Sequence, residues 1–218
     1  MSWLCVLLAA GLGLAAALWL RTRRYRYDDD LVRRTLAPGW LPVTAAAGAL
    51  LGTPFYAGVP AAVAVTYVVA LVWGLTLAFI DLEVHRLPDV LTLRAYPVGA
   101  VLLALCSLVA GNWTALARAA LCAGVAVAVF TLLVLVSGLF YRDGDGFGWG
   151  DAKLSGGLAG LLGWFSWSNA FYGLVTGCLV AGVVAVALIL NRRARTSHVS
   201  YGPPLILGAY LWALLLPA

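Results

Sequence analysis

The sequence predicts an all-α integral membrane protein, a polytopic bundle of about eight transmembrane helices. Of its 218 residues, 63% are hydrophobic and 11% are charged, whereas a soluble domain carries about 25% charged residues. Uncharged stretches cover residues 35–80, 95–117, 119–141 and 154–191. Because roughly 20 apolar residues span the hydrocarbon core, the first and last stretches are each long enough for two helices. This composition excludes a soluble domain.

Eight helices follow from these stretches and the breaks between them. They are expected at residues 3–20, 40–57, 60–80, 91–110, 113–138, 152–166, 168–190 and 202–217. We interpret the first as a retained membrane helix, because no basic segment precedes it and RTRR follows it at once. Turn residues separate helices on one side of the membrane, and charged or Gly-Pro-rich segments separate them on the other.

The charged residues sort to one side of this arrangement. Thirteen of the 14 Lys and Arg residues and all nine acidic residues fall on it, and only Arg118 falls on the opposite side. The positive-inside rule makes the crowded side cytoplasmic and places both termini outside. We therefore expect the chemistry of this protein at the cytoplasmic surface of the membrane.

Two aspartates lie where apolar helices meet that surface. Asp81 ends the third helix in AFIDLEVHRLPDVLTL, and Asp151 opens the sixth in GWGDAKL. Ionisable residues at such depth are costly and usually functional. Two converging carboxyls can share a proton and act as acid and base on water, as in aspartic peptidases. From the helix dipoles we expect Asp151, at a helix N-terminus, to be the base and Asp81 the protonated partner.

The glycines of GWGD have a physical role in this hypothesis. Gly148 and Gly150 allow a close backbone approach or a positive φ beside Asp151, so that a substrate strand can lie against the backbone. The alternative is a tight turn in which Asp151 caps a helix. The motif taken alone leaves both interpretations open.

Three blocks together resemble the type IV prepilin peptidases, which are membrane aspartic peptidases of the GxGD type. The blocks are FIDLEVHRLPDVLTL at residues 79–93, GWGDAKL at 148–154 and YGPPLILGAY at 201–210. The resemblance implies that Asp81 and Asp151 are the catalytic pair, supported by Pro88, Asp89 and Lys153. It also implies a prepilin or pseudopilin substrate whose short basic leader is cleaved after a glycine, at the cytoplasmic face of the inner membrane.

One family feature is missing from this sequence. Many members carry an N-terminal cytoplasmic domain with two CxxC pairs and also N-methylate the product, whereas the first cytoplasmic loop here, residues 21–39, has no cysteine. The resemblance therefore implies a short form without methyltransferase activity. We divide the chain into two parts. Residues 1–58 contain the N-terminal transmembrane helices and the short cytoplasmic loop, and residues 59–218 form the membrane-embedded peptidase core. The four cysteines lie in apolar runs, and no metal or cofactor is expected.

Two other functions stay open at this point. A proton- or cation-coupled transporter also uses paired acids, but usually near the membrane midplane. Another GxGD intramembrane protease, of the presenilin or signal-peptide-peptidase kind, has a tyrosine before its first aspartate, where this chain has Ile80. The expected partners are the substrate protein and the lipid bilayer, with no nucleic acid, and the sequence indicates no oligomeric state.

Three further acidic features receive weaker interpretations. In RTRRYRYDDD, residues 21–30, the arginines are expected to bind anionic lipid and the aspartates to be solvated, or else to attract a basic leader. Asp143 and Asp145 are expected in a solvated loop. Glu83 follows Asp81 by two residues, and it should point away from Asp81 if the helix continues.

Overall fold

The computed structural model describes residues 2–27, 32, 35–140, 148–190 and 200–215, and within these ranges the regular secondary structure is helical. The α-helices are α1 Ser2–Arg21, α2 Leu41–Leu51, α3 Thr53–Gly58, α4 Ala61–Val84, α5 Asp89–Ala110, α6 Trp113–Phe140, α7 Trp149–Phe165, α8 Trp167–Leu190 and α9 Gly202–Leu214. Five of them, α1, α4, α5, α6 and α8, are long and apolar enough to cross a membrane. The prediction of an all-α membrane bundle is thus confirmed for these ranges.

The second predicted helix, residues 40–57, is divided into two. α2 ends at Leu51 and α3 begins at Thr53, so that Gly52 alone separates them. Pro54 stands in the first turn of α3. Because proline has no backbone N–H, it cannot continue the hydrogen-bond ladder of α2, and the helix has to restart.

α4 is the most enclosed of the candidate spans. Within the 18-residue apolar stretch that could span the membrane, 67% of α4 is buried, compared with 17% of α5. It contributes to all three apolar clusters of the core, for example through Val68, Leu77 and Ile80. Since interior packing is close to that of a crystal, the end of α4 is a rigid place for a functional side chain.

α7 is held at its far end by the neighbouring helix α6. Arg118 of α6 donates hydrogen bonds of 2.7 Å from Nε to the Gly163 carbonyl and from Nη2 to the Phe165 carbonyl, and Nη2 also donates to the Trp164 carbonyl. These are the last carbonyls of α7, which have no partner within the helix. The single basic residue predicted on the outer side therefore caps α7 at the end opposite Asp151.

The acidic residues gather at one end of the bundle. The structure describes four of them: Asp81 and Glu83 near the end of α4, Asp89 at the start of α5 and Asp151 in the first turn of α7. The predicted loop acids Asp28, Asp29, Asp30, Asp143 and Asp145 lie outside the described residues. The placement of the four described acids agrees with the charge separation expected from the sequence.

Candidate active site

Asp81 is a buried carboxyl group near the C-terminus of α4, with 5% of its surface exposed. Its Oδ2 atom accepts a hydrogen bond of 3.0 Å from the backbone N–H of Gly202 and another from the hydroxyl of Ser200. Gly202 is the first residue of α9, so its N–H has no acceptor within that helix. Asp81 therefore supplies the acceptor that the start of α9 needs.

Gly202 permits the close approach of α9 to Asp81. A Cβ atom added there would lie 2.6 Å from Oδ2 and 3.2 Å from Cγ of Asp81. Proline follows glycine in YGPP, and its fixed φ favours the first turn of a helix. The third sequence block is thus part of the site, since it brings the α9 N-terminus into contact with the first aspartate.

Asp151 lies in the first turn of α7 and is also buried, with 8% of its surface exposed. Its Oδ2 atom accepts a hydrogen bond of 3.3 Å from the N–H of Gly148, and its own N–H donates to the Gly148 carbonyl at 3.1 Å. The carboxyl groups of Asp151 and Asp81 are close enough to interact electrostatically. The structure therefore brings together the two aspartates singled out in the sequence.

The two glycines of GWGD serve different purposes. Neither has a positive φ, because Gly111 is the one glycine with that property among the described residues. A Cβ atom on Gly150 would lie 3.0 Å from Cβ of Leu87, so this glycine permits the close contact between the first turn of α7 and the turn before α5. Gly148 is in extended backbone as the N-cap of α7, and a Cβ there would meet ordinary contact distances.

The turn between α4 and α5 lies next to Asp81 and leads to Asp89, which contacts α7. His85 ends α4 in the left-handed conformation, with a φ of 52°, and its N–H donates to the Asp81 carbonyl at 2.9 Å. Pro88 is buried and precedes α5 as its N-cap residue. The carboxylate of Asp89, the first residue of α5, forms an ion pair of 2.6 Å with Nζ of Lys153 on α7. Two of the predicted supporting residues, Asp89 and Lys153, thus pair with each other.

This constellation fits one family of proteins. The model of the type IV leader peptidase family matches residues 68–190, more than half of the chain. The chain belongs to the type IV leader peptidase family. The matched range contains the FIDLEVHRLPDVLTL and GWGDAKL blocks, and α9 follows it in the chain. No curated protein and no solved structure matches the chain significantly.

Glu83 of this leader peptidase is a feature whose partners the sequence did not reveal. Its carboxylate is fully buried, and its hydrogen-bond partners differ from those of Asp81. It pairs at 2.6 Å with both Arg23 and Arg26 and accepts hydrogen bonds from the Leu36 N–H and the Tyr25 hydroxyl. Burial and the bond to Glu83 raise the pKa of Tyr25, so the phenol remains a neutral donor. The segment after α1 is thereby fastened to the end of α4.

The chemistry available at the site is that of carboxyl groups in a poorly hydrated environment. Among the described residues, no three His, Cys, Asp or Glu side chains converge in a way that would hold a metal ion. Three of the four cysteines are buried and all are unpaired. Two carboxyl groups that interact across helices can hold one proton between them, which provides one acid and one base.

Proposed function

We propose that this leader peptidase is an aspartic endopeptidase that removes the short basic leader of a prepilin or pseudopilin-like protein. Asp81 and Asp151 are the proposed catalytic pair, with Gly148, Gly150, Pro88, Asp89 and Lys153 as supporting residues. The observation that carries the proposal is the interaction of two buried carboxyls at one end of the bundle, from residues that are 70 positions apart in the sequence. No cofactor takes part.

The proposed reaction requires one ionised and one protonated carboxyl. The ionised group accepts a proton from a water molecule while the water oxygen attacks the scissile carbonyl carbon. The protonated group donates a hydrogen bond, and then its proton, to the carbonyl oxygen. The resulting tetrahedral intermediate collapses when the peptide nitrogen leaves with a proton. Burial of both groups strengthens these interactions, because the local dielectric constant is low.

In the proposed topology the chain crosses the inner membrane eight times and exposes the aspartates to the cytoplasm. The five candidate spans are joined by α2 with α3, by α7 and by α9, and both termini lie outside. The distribution of Lys and Arg along the sequence supports this orientation. A reporter fused to the C-terminus is expected to be active only on the outer side, and a cytoplasmic reporter signal would contradict the topology.

An apolar cavity supports a substrate with a hydrophobic segment next to its cleavage site. The cavity measures about 860 Å³ and lies between α4, α5, α6 and α7, lined by residues such as Trp73, Leu91, Ala123 and Gly157. Gly157 follows Asp151 by six residues, which is about 9 Å along α7. Replacement of Ala123 by Phe should fill the cavity and raise KM, and an unchanged KM would separate the cavity from substrate binding.

The two competing functions make different use of the same aspartates. A transporter usually places its paired acids near the middle of the membrane, whereas Asp81 and Asp151 lie at helix ends. Another GxGD intramembrane protease would cut within the hydrophobic segment of its substrate. The proposed peptidase cuts ahead of that segment and, because residues 21–39 contain no cysteine, leaves the new N-terminus unmethylated.

Product analysis separates these functions. The purified enzyme is reconstituted in liposomes with a prepilin that has a basic leader, and the product is examined by mass spectrometry. The proposal predicts one cut, after the glycine ahead of the hydrophobic segment, and no methyl group. The matched control is the same prepilin with that glycine replaced, which should remain intact. A cut inside the hydrophobic segment, or proton flux without cleavage, would contradict the proposal.

A further inference from the structure

The start of α9 determines how one oxygen of Asp81 is used. The N–H of Gly202 can only donate, so Oδ2 of Asp81 is an acceptor in the 3.0 Å hydrogen bond between them. The Ser200 hydroxyl donates a hydrogen bond to the same oxygen. Both donors come from α9 and the residues just before it, and both leave Oδ1 of Asp81 available for other chemistry.

Asp151 has a poorer set of donors. Among the described residues, its carboxylate accepts one hydrogen bond, at 3.3 Å from the Gly148 N–H at the start of its own helix. Both aspartates lie at a helix N-terminus, since Asp81 contacts the start of α9 and Asp151 belongs to the first turn of α7. The C-terminal end of α4 alone would disfavour a charge on Asp81. Hydrogen bonds stabilise a charged group by more than a helix dipole does. The number and length of these hydrogen bonds therefore determine which aspartate is ionised.

We infer that Asp81 is the general base of the reaction and that Ser200 is a positioning residue that, together with the Gly202 amide, keeps the Asp81 carboxylate ionised. Asp151 then carries the shared proton and acts as the acid. This assignment rests on the proposed function and reverses the one expected from the sequence. In the first step the water proton moves to Oδ1 of Asp81, and the Asp151 proton moves to the carbonyl oxygen of the substrate.

Two other titratable groups interact with the pair, one at the end of α4 and one on α8. His85, at the end of α4, interacts electrostatically with Asp81, and Cys178 of α8 interacts with Asp151 of α7. Substitution of Ser200 leaves both of these groups in place. A change in pH dependence on substitution of Ser200 therefore reports the hydrogen bond to Asp81.

The experiment is the pH dependence of kcat/KM for cleavage of a prepilin by the wild type, Ser200→Ala and Ser200→Thr. The acidic limb of such a profile reports the base, and the alkaline limb reports the acid. Ser200→Ala is expected to move the acidic limb up by about one pH unit, because a hydrogen bond to a charged group is lost. Ser200→Thr keeps the hydroxyl and should keep the wild-type profile.

A matched control is Ser137→Ala on α6. The hydroxyl of Ser137 donates to the Val134 carbonyl at 2.9 Å within its own helix, so the profile should not change. If Ser200→Ala moves the alkaline limb instead, Asp81 is the acid and the inference is overturned. If neither limb moves, Ser200 is no donor to the reacting carboxylate, which overturns it equally.

Two further variants keep the test decisive. Should Ser200→Ala fail to accumulate in membranes, Ser200→Cys takes its place, because a thiol is a weak donor and should give a smaller shift of the same limb. Wild type, Asp81→Asn and Asp151→Asn are measured in parallel. A wild type that cleaves nothing, or an active aspartate variant, contradicts the proposed function itself. Activity that depends on both aspartates, with no effect at Ser200, contradicts only the inference.

Discussion

Replacement of Gly202 by alanine tests the contact between α9 and Asp81. The new Cβ atom would lie 2.6 Å from Oδ2 and 3.5 Å from Cβ of Asp81, which is too close for Oδ2 to stay in place. The neighbouring atoms belong to a buried carboxyl on the rigid end of α4, so α9 and Asp81 have to separate. The hydrogen bond of 3.0 Å between the Gly202 N–H and Asp81 is then lost or lengthened.

The size of the effect follows from that hydrogen bond. A hydrogen bond to a charged group contributes about 1.5–3 kcal/mol, and each 1.36 kcal/mol changes a rate about tenfold. We therefore expect kcat/KM of Gly202→Ala to fall by about 10- to 100-fold. The assay is cleavage of a prepilin by purified enzyme in liposomes, with the amount of inserted protein measured for each variant.

Gly182→Ala is the matched control for this prediction. Gly182 lies within α8, and a Cβ atom there meets nothing within 4 Å. The control should cleave at the wild-type rate, since alanine is a better helix former than glycine. If Gly202→Ala also cleaves at the wild-type rate, α9 does not contact Asp81 in the active enzyme, and Gly202 is not part of the active site.

Three other substitutions follow from the contacts around the site. Glu83→Gln removes the charge that pairs with Arg23 and Arg26, whose side chains are 28% and 24% exposed. A hydrogen bond to a charged group contributes about 1.5–3 kcal/mol, so the midpoint of thermal unfolding in detergent should fall, and an unchanged midpoint would contradict this. Asp89→Asn or Lys153→Met removes an exposed ion pair that contributes at most about 1 kcal/mol. The value of kcat/KM should therefore stay within about fivefold of wild type, and a larger loss would indicate a direct catalytic role. Arg118→Met removes the hydrogen-bond donors to the last carbonyls of α7 and should lower the midpoint of thermal unfolding. The folded protein should keep the wild-type kcat/KM, and a midpoint equal to that of the wild type would show that this cap is dispensable.

The sequence contained enough information to place both aspartates at one end of the bundle. Uncharged stretches located the helices, and the helix ends fixed the depth of Asp81 and Asp151. The family resemblance singled out Asp89 and Lys153 as separate supporting residues, and their ion pair became visible only in the structure. Helical periodicity predicts that Glu83 and Asp81 lie on different faces of α4, since residues two positions apart do so.

The contacts between helices were not predictable in the same way. Ser200 lies 119 residues from Asp81, and Arg23 lies 60 residues from Glu83, so no local pattern joins them. A helix that is apolar on all sides has no polar face to define its rotation about its own axis, and α4 is such a helix up to Asp81. The rotation of α4 about its axis places Asp81 against the N-terminus of α9. The proposed acid and base roles depend on that contact, which the sequence does not reveal.

The catalytic role of the two aspartates is tested by comparing cleavage by the wild type, Asp81→Asn and Asp151→Asn in liposomes with a prepilin that the wild type processes. Asparagine keeps the size of the side chain and removes the titrating group. If the two carboxyls share the catalytic work, each variant should insert and bind the substrate but not cleave it. Cleavage by either variant at a rate near that of the wild type would show that the two aspartates are not the catalytic pair.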